Sequence, residues 1–292
     1  MQIYLLILHW TIWGDFLTEY KVKVCKFNIH QSKYLAQLWH DAFGDSYDYI
    51  DFFMKECAPF CYTATAETSN GNIIGACYLM PINAKNAKEY KDGFYLYALC
   101  VDKKMQNLGI GSAIVNKLKY ICDCENKFIV LSPADNNLIK YYEKLGFVKN
   151  MYNLEKVFDV TKIHSNICLK KLDNTKLYEM RNQCYTNLII WNENLLNYIL
   201  KENVFTNGYN FVLEYKECNY YFIAKKHKAV LKITETDLPE EYMKNVSDLL
   251  GNYFGCSKSV WTVPARYNID NILYGMTYNL DTDDYFMNFI LN

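Results

Sequence analysis

Arginine is almost missing from this chain, which carries only Arg181 and Arg266 among its 31 Lys and Arg residues. Tyr, Asn, Lys and Ile are common throughout, with 27 Tyr, so the scarcity reads first as compositional bias. A basic excess is missing as well: 32 Asp and Glu leave a formal net charge of −1. That balance provides no electrostatic footprint for a nucleic acid or an anionic membrane, and neither partner is expected. Paired zinc ligands are absent. The 11 cysteines contain no C-x-x-C pair, the nearest approaches being Cys57/Cys61 and Cys122/Cys124, and the five histidines complete no set. Most cysteines stand among apolar neighbours, as Cys77 does between Ala76 and Tyr78. That context suits small buried thiols in a reducing cytoplasm, with no metal. A long apolar run is also lacking. Residues 1–17, MQIYLLILHWTIWGDFL, come nearest, but His9, Gly14 and Asp15 interrupt them. A span needs about 20 apolar residues, and a signal peptide needs a basic start and a small-residue cleavage site. Residues 1–20 therefore read as an apolar N-terminal extension, either an extra packing element or sequence upstream of the true start, with a membrane anchor left open.

What is present is ample material for a core: 292 residues, 51% hydrophobic and 22% charged. Disorder is excluded, and the length suggests two domains. Alternation over 21–27 predicts a strand, and an apolar stripe over 30–60 predicts a helix closed by Pro59. Strands follow at 61–66 and 73–81 around the turn Ser69-Asn70-Gly71-Asn72, then at 94–101. A helix is predicted over 112–124, a short strand over 127–131, and a helix over 135–145 with Asp135 as N-cap and Gly146 as C-cap. In the second half, helices are predicted over 177–200 and 239–254, with strands at 211–215, 220–224, 229–234, 259–263 and 275–280. No Pro/Gly/Ser linker separates the halves, and their element order is similar without a residue-level repeat.

The chemistry concentrates in the stretch from Tyr97 to Ile114, YALCVDKKMQNLGIGSAI. A strand enters a loop with two glycines, Gly109 and Gly111, and the loop opens a helix. Glycines there let the backbone come close to a ligand, and free N–H groups at the helix start suit a pyrophosphate. There is no GK[ST] of a Walker loop and no third glycine of the dinucleotide fingerprint. An ordinary strand-to-helix turn would read the same.

Further on stands YYEKLGF, residues 141–147. The Q-x-x-G-x-G loop after the YALCV strand, followed by this helix end, resembles the GNAT superfamily of acyl-CoA-dependent N-acyltransferases. The resemblance covers residues 21–148. It implies a mixed α/β fold, a mostly antiparallel central sheet flanked by helices, with a GNAT domain over 21–160. The end of the chain around residues 261–280 resembles the degenerate second domain of tandem-GNAT proteins, which implies a smaller α/β domain over 175–292 and one acetyl-CoA site, in the first half. That second half either shapes the acceptor pocket or subunit contact, or simply stabilises.

The implied function is transfer of an acetyl group from acetyl-CoA to a primary amine by direct attack in a ternary complex. The acceptor is a small molecule or peptide of unknown identity, and a homo-oligomer is left open. On the motif positions, Tyr142 is implied as general acid, and a backbone N–H of Leu99 or Cys100 as donor to the thioester oxygen. The implied acetyl-CoA contacts are Leu99, Cys100, Val101, Gln106, Asn107, Leu108, Gly109, Ile110, Gly111, Ser112 and Asn137. Adjacent helical residues point about 100° apart, so Tyr141 is expected to face elsewhere. One departure stands out: the family's central-strand Glu is replaced here by Tyr97. That leaves a water relay, Glu67 or a second-half residue as base. It also leaves open a non-catalytic acyl-CoA-binding or regulatory protein.

Overall fold

In a computed structural model, residues 19–86, 89–164, 166–184, 187–265, 271–280 and 285–287 are described. All but the end of the apolar N-terminal extension falls outside them. The described residues form two compact units. The first holds the chain through Asn83, then Lys91–Val148, and a segment returning from Met276. The second holds Ala84–Tyr90, Lys149–Gly275 and residues near the C-terminus. The division thus runs at 148/149 along the chain, and the segment after Met276 returns to the first unit.

The first unit begins with β1 (Tyr20–Lys26), whose side chains alternate between half-buried and exposed. Helices α1 (Ser32–Phe43) and α2 (Tyr47–Glu56) follow, where the apolar stripe predicted a single helix. The break falls at Gly44, which closes α1 in the left-handed conformation at φ +78°. Ser46 then starts α2 by accepting from the Tyr49 amide at 3.3 Å. Leu35, Leu38 and Trp39 on α1 and Ile50, Phe53 and Met54 on α2 are buried. Next come β2 (Tyr62–Thr68), β3 (Ile73–Lys85), β4 (Tyr90–Val101), α3 (Ile110–Cys124), β5 (Phe128–Leu131) and α4 (Asn136–Lys144). As the sequence implies, Asp135 caps α4, accepting from the Asn137 and Leu138 amides. The sheet order is β1-β2-β3-β4-β5. β1 with β2, and β2 with β3, are antiparallel, whereas β4 and β5 are parallel.

The second unit contains β6 (Val148–Asp159), β7 (Leu169–Lys171), α5 (Asn174–Cys184), β8 (Leu188–Trp191) and α6 (Glu193–Phe205). β9 (Gly208–Tyr215), β10 (Cys218–His227), β11 (Val230–Thr236), α7 (Met243–Phe254), β12 (Lys258–Ala265) and β13 (Ile272–Tyr278) complete it, the end of β13 belonging to the first unit. One helix was predicted over 177–200, but β8 divides it. The run Leu188-Ile189-Ile190-Trp191 is buried throughout, and Asn192 restarts the helix by accepting from the Leu195 amide at 3.0 Å. The sheet order here is β6-β12-β11-β10-β9-β7. β11 and β12 are parallel, and β6 with β12 antiparallel. In the first unit, the end of β13 likewise lies antiparallel to β5, with Met276 opposite Leu131. The result is a mixed α/β fold, a mostly antiparallel sheet flanked by helices.

Candidate active site

β4 and β5 pair from Gly93↔Phe128 to Tyr95↔Val130, and there the pairing ends. β4 runs on to Val101, so its last residues face an open edge. At the point of parting stands Ala98 with φ +52°, a backbone conformation that costs a residue bearing a Cβ. The Asp102 amide donates to Ile74 O at 3.0 Å, so the even-numbered backbone groups here turn toward β3. Alternation along a strand then turns Leu99 and Val101 toward the open edge. Between the two sequence-derived candidates for the thioester donor, the amide at the open edge is that of Leu99. The Cys100 thiol is buried and reaches Ala76 O at 3.5 Å, and burial pushes it up to about 12. It is a structural thiol, its residue a spacer between two open-edge neighbours.

The loop after β4 presents Gln106, Asn107, Leu108 and Gly109 exposed to solvent. Asn107 at φ +63° and Gly109 at φ +77° turn the backbone into α3, which has no side-chain N-cap. The first-turn amides of Ile110, Gly111 and Ser112 therefore lack an intrahelical partner. A Cβ on Gly111 would stand 3.1 Å from the Tyr141 hydroxyl and 4.0 Å from Leu99 Cδ2. This is a narrow cradle with donors on one wall, and it fits a pyrophosphate arm. Gln106 folds back, its amide donating to Val101 O at 3.3 Å. Ile110 is buried and can offer only backbone. Asn137 is exposed on the first turn of α4.

Two tyrosines on α4 diverge, Tyr141 to the cradle and Tyr142 into the core. Tyr142 is 6% exposed and its ring packs on Phe147 at 5.5 Å. Burial, together with Tyr141, Cys77 and Tyr95 nearby, pushes its hydroxyl well above the ordinary tyrosine value. Among the described residues no group hydrogen-bonds that hydroxyl. Tyr141 was expected to face elsewhere, yet it accepts a hydrogen bond from Ser112 Oγ at 3.2 Å, on the first turn of α3. Sequence spacing separates the two directions; it does not reveal that the direction of Tyr141 ends at the loop.

Tyr97, in place of the family's carboxylate, is half-buried, and its hydroxyl lies 3.1 Å from that of Tyr49 on α2. Trp39 and Phe53 pack around its ring, each at 5.5 Å between centroids. Glu67 is not a free base: Lys23 pairs with its carboxylate, and Thr65 donates to it at 2.9 Å. The Tyr49–Tyr97 contact and the strained Ala98 escaped sequence reading; only the absence of a carboxylate at 97 hinted at the first.

Residues 27–147 match the model of the acetyltransferase (GNAT) family. The match spans 121 of the 292 residues, and over them the chain is similar to the GNAT family. No curated protein sequence matches it. Solved GNAT structures do match its fold. A GCN5-related N-acetyltransferase from Kribbella flavida matches with TM-score 0.67 at 10% identity, over 88% of this chain and 70% of that one. A conserved protein from Enterococcus faecalis, a probable N-acyltransferase, matches with TM-score 0.66 at 12% identity, over 88% and 72%. A putative acetyltransferase from Pyrococcus horikoshii covers 94% of both chains with TM-score 0.55 at 12% identity. Among the described residues of this chain no helix is long and apolar enough to cross a membrane, and no cluster of metal-ligating side chains occurs.

Proposed function

We propose that the protein transfers an acetyl group from acetyl-CoA to a primary amine by direct attack, with both substrates bound together. The observation that carries this reading is the parting of β4 from β5 after Tyr95, beside a loop of unpartnered amides. The pyrophosphate would lie on the backbone of 106–112, and the thioester beside Leu99. The thioester supplies the activated acetyl group. Holding the amine next to it removes much of the entropic barrier. The Leu99 N–H donates to the carbonyl oxygen as that oxygen gains charge. The Tyr142 hydroxyl donates to the departing sulfur. Its raised pKa keeps the proton in place at neutral pH and makes full transfer uphill, so hydrogen bonding to sulfur is its first contribution. Amine deprotonation falls to a water relay, since no carboxylate occupies 94–101.

One observation favours a second reading, a non-catalytic acyl-CoA binder. Tyr97 and Tyr49 occupy each other's hydroxyls where a base would stand. A panel of primary amines, from polyamines to peptides, assayed for CoA thiol release separates the two. Release above the hydrolysis background with at least one amine supports transfer. Tight acetyl-CoA binding with no turnover across the panel favours the binder.

A further inference from the structure

The second unit repeats the parting of strands seen in the first. β11 and β12 pair in parallel from Val230↔Lys258 to Ile233↔Trp261 and are joined through α7, as β4 and β5 are joined through α3. Pairing then stops, while β11 continues to Thr236 and β12 to Ala265. At this open end lies a cavity of about 310 Å³, at the small end of the ~300–1,000 Å³ usual for ligand sites. Its chemistry is the reverse of the first unit's cradle. The connection into α7 reads Asp237-Leu238-Pro239-Glu240-Glu241. Proline offers no N–H, and carboxylates at a helix start repel phosphate. Asp237 stands in the cavity wall, with Met243, Val263, Pro264 and Phe286 making apolar surface around it. One Asp237 oxygen accepts from the Tyr221 amide at 2.8 Å; the other lies 3.8 Å from the Cys184 thiol. Glu240, also lining the cavity, is paired with Lys156.

We propose that this cleft, at the place equivalent to the acetyl-CoA cradle, binds a small organic cation: a primary ammonium on a short apolar body, with Asp237 as its counter-ion. The apolar wall takes the body and the carboxylate fixes the head. Desolvation holds the Asp237 carboxyl up at about 6, the condition of a half-buried charge short of a cation. The groups facing it are Cys184 from α5, Glu235 from β11, and Tyr220 and the Tyr221 amide from β10. Glu235 is itself taken by Arg181 at 2.8 Å. The Thr236 hydroxyl is committed to Tyr221 O and the Leu238 amide. Asp237 is thus the group left to meet a cation. The proposal stands independently of the transferase reading.

The test is a ligand-observed NMR titration of the full chain with n-butylammonium and with butyrate as probes. Butylammonium should saturate and butyrate should not. Asp237→Asn keeps an oxygen for the Tyr221 amide, so circular dichroism should be unchanged while butylammonium affinity falls at least about tenfold. Butylammonium binding that survives Asp237→Asn belongs to another site and overturns the proposal, as does equal binding of butyrate or no saturation at all. Should the variant fail to fold, the unaltered protein decides. Its butylammonium affinity should rise several-fold between about pH 5 and about pH 7.5 as the carboxyl ionises, and a flat profile overturns the proposal.

Discussion

Tyr142→Phe removes one oxygen from a ring that keeps its packing on Phe147. If that oxygen donates to the departing sulfur, the acetyl-transfer rate falls by about 10²–10⁴ while acetyl-CoA affinity and thermal midpoint hold. Tyr141→Phe breaks the bond to Ser112 at the cradle, so it should weaken acetyl-CoA binding and leave the rate at saturation little changed. Calorimetry and steady-state kinetics on the pair separate the roles; reversed results would exchange them. Arg181 makes another residue-scale case. It is buried, and its guanidinium donates to Glu235, Ile189 O and Met287 O at 2.8, 2.7 and 2.5 Å. A lysine has no fork to match three acceptors, so one of the chain's two arginines sits where guanidinium geometry is needed. Arg181→Met leaves Glu235 uncompensated and should cost about 3–5 kcal/mol in urea unfolding. Adding Glu235→Gln should recover much of that loss. Asp237 contributes a pH signature. Its folded pKa of about 6 exceeds the ordinary 3.8, so the native state holds the proton more tightly between those values and loses stability as pH rises through that window. Asp237→Asn cannot titrate, and its stability relative to wild type should climb from pH 4 to pH 6.5 and then level off.

At the scale of elements, the cradle depends on the start of α3 lying close against α4. A Cβ on Gly111 would lie 3.1 Å from the Tyr141 hydroxyl, so any side chain there fills the cradle and pushes that ring aside by a few tenths of an ångström. Gly111→Val should abolish acetyl-CoA binding by calorimetry while circular dichroism stays the same; equal binding would remove the loop from the site. The loop was legible because it carries its own signal, the glycines Gly109 and Gly111, and YYEKLGF fixes the next helix end; of the two glycines Gly109 takes left-handed backbone, and the same turn at Asn107 was not read. The four-residue β8 was not legible. Its apolar run falls between helical segments, and a run that short has no period to tell strand from helix; tertiary burial on all sides decides it. The break between α1 and α2 could have been read from Gly44 and Ser46, yet an apolar stripe on both sides masked it. Ala98 shows the limit in another way. Alanine carries no preference for positive φ, so nothing in its identity announces the point where β4 leaves β5.

Across the whole molecule, two parallel strand pairs open at their ends, and only one opening has the chemistry of an anion site. In the first unit, glycines and free amides follow β4. In the second, Asp237, Pro239, Glu240 and Glu241 stand between β11 and α7. A pyrophosphate brought to α7 would meet like charge and a missing donor, so a similar helix dipole does not suffice. The architectural echo of the halves was readable from element order; the reversal of charge is readable only by aligning the two openings in space. The chain should therefore bind acetyl-CoA with a stoichiometry of one. Calorimetry on the full chain should give a single class of site, and Gly111→Val should bring it to zero with the second unit intact. Two sites in the wild type, or one surviving in the variant, would mean that α7 accepts phosphate in spite of its carboxylates, and the assignment of opposite chemistries to the two clefts would fall.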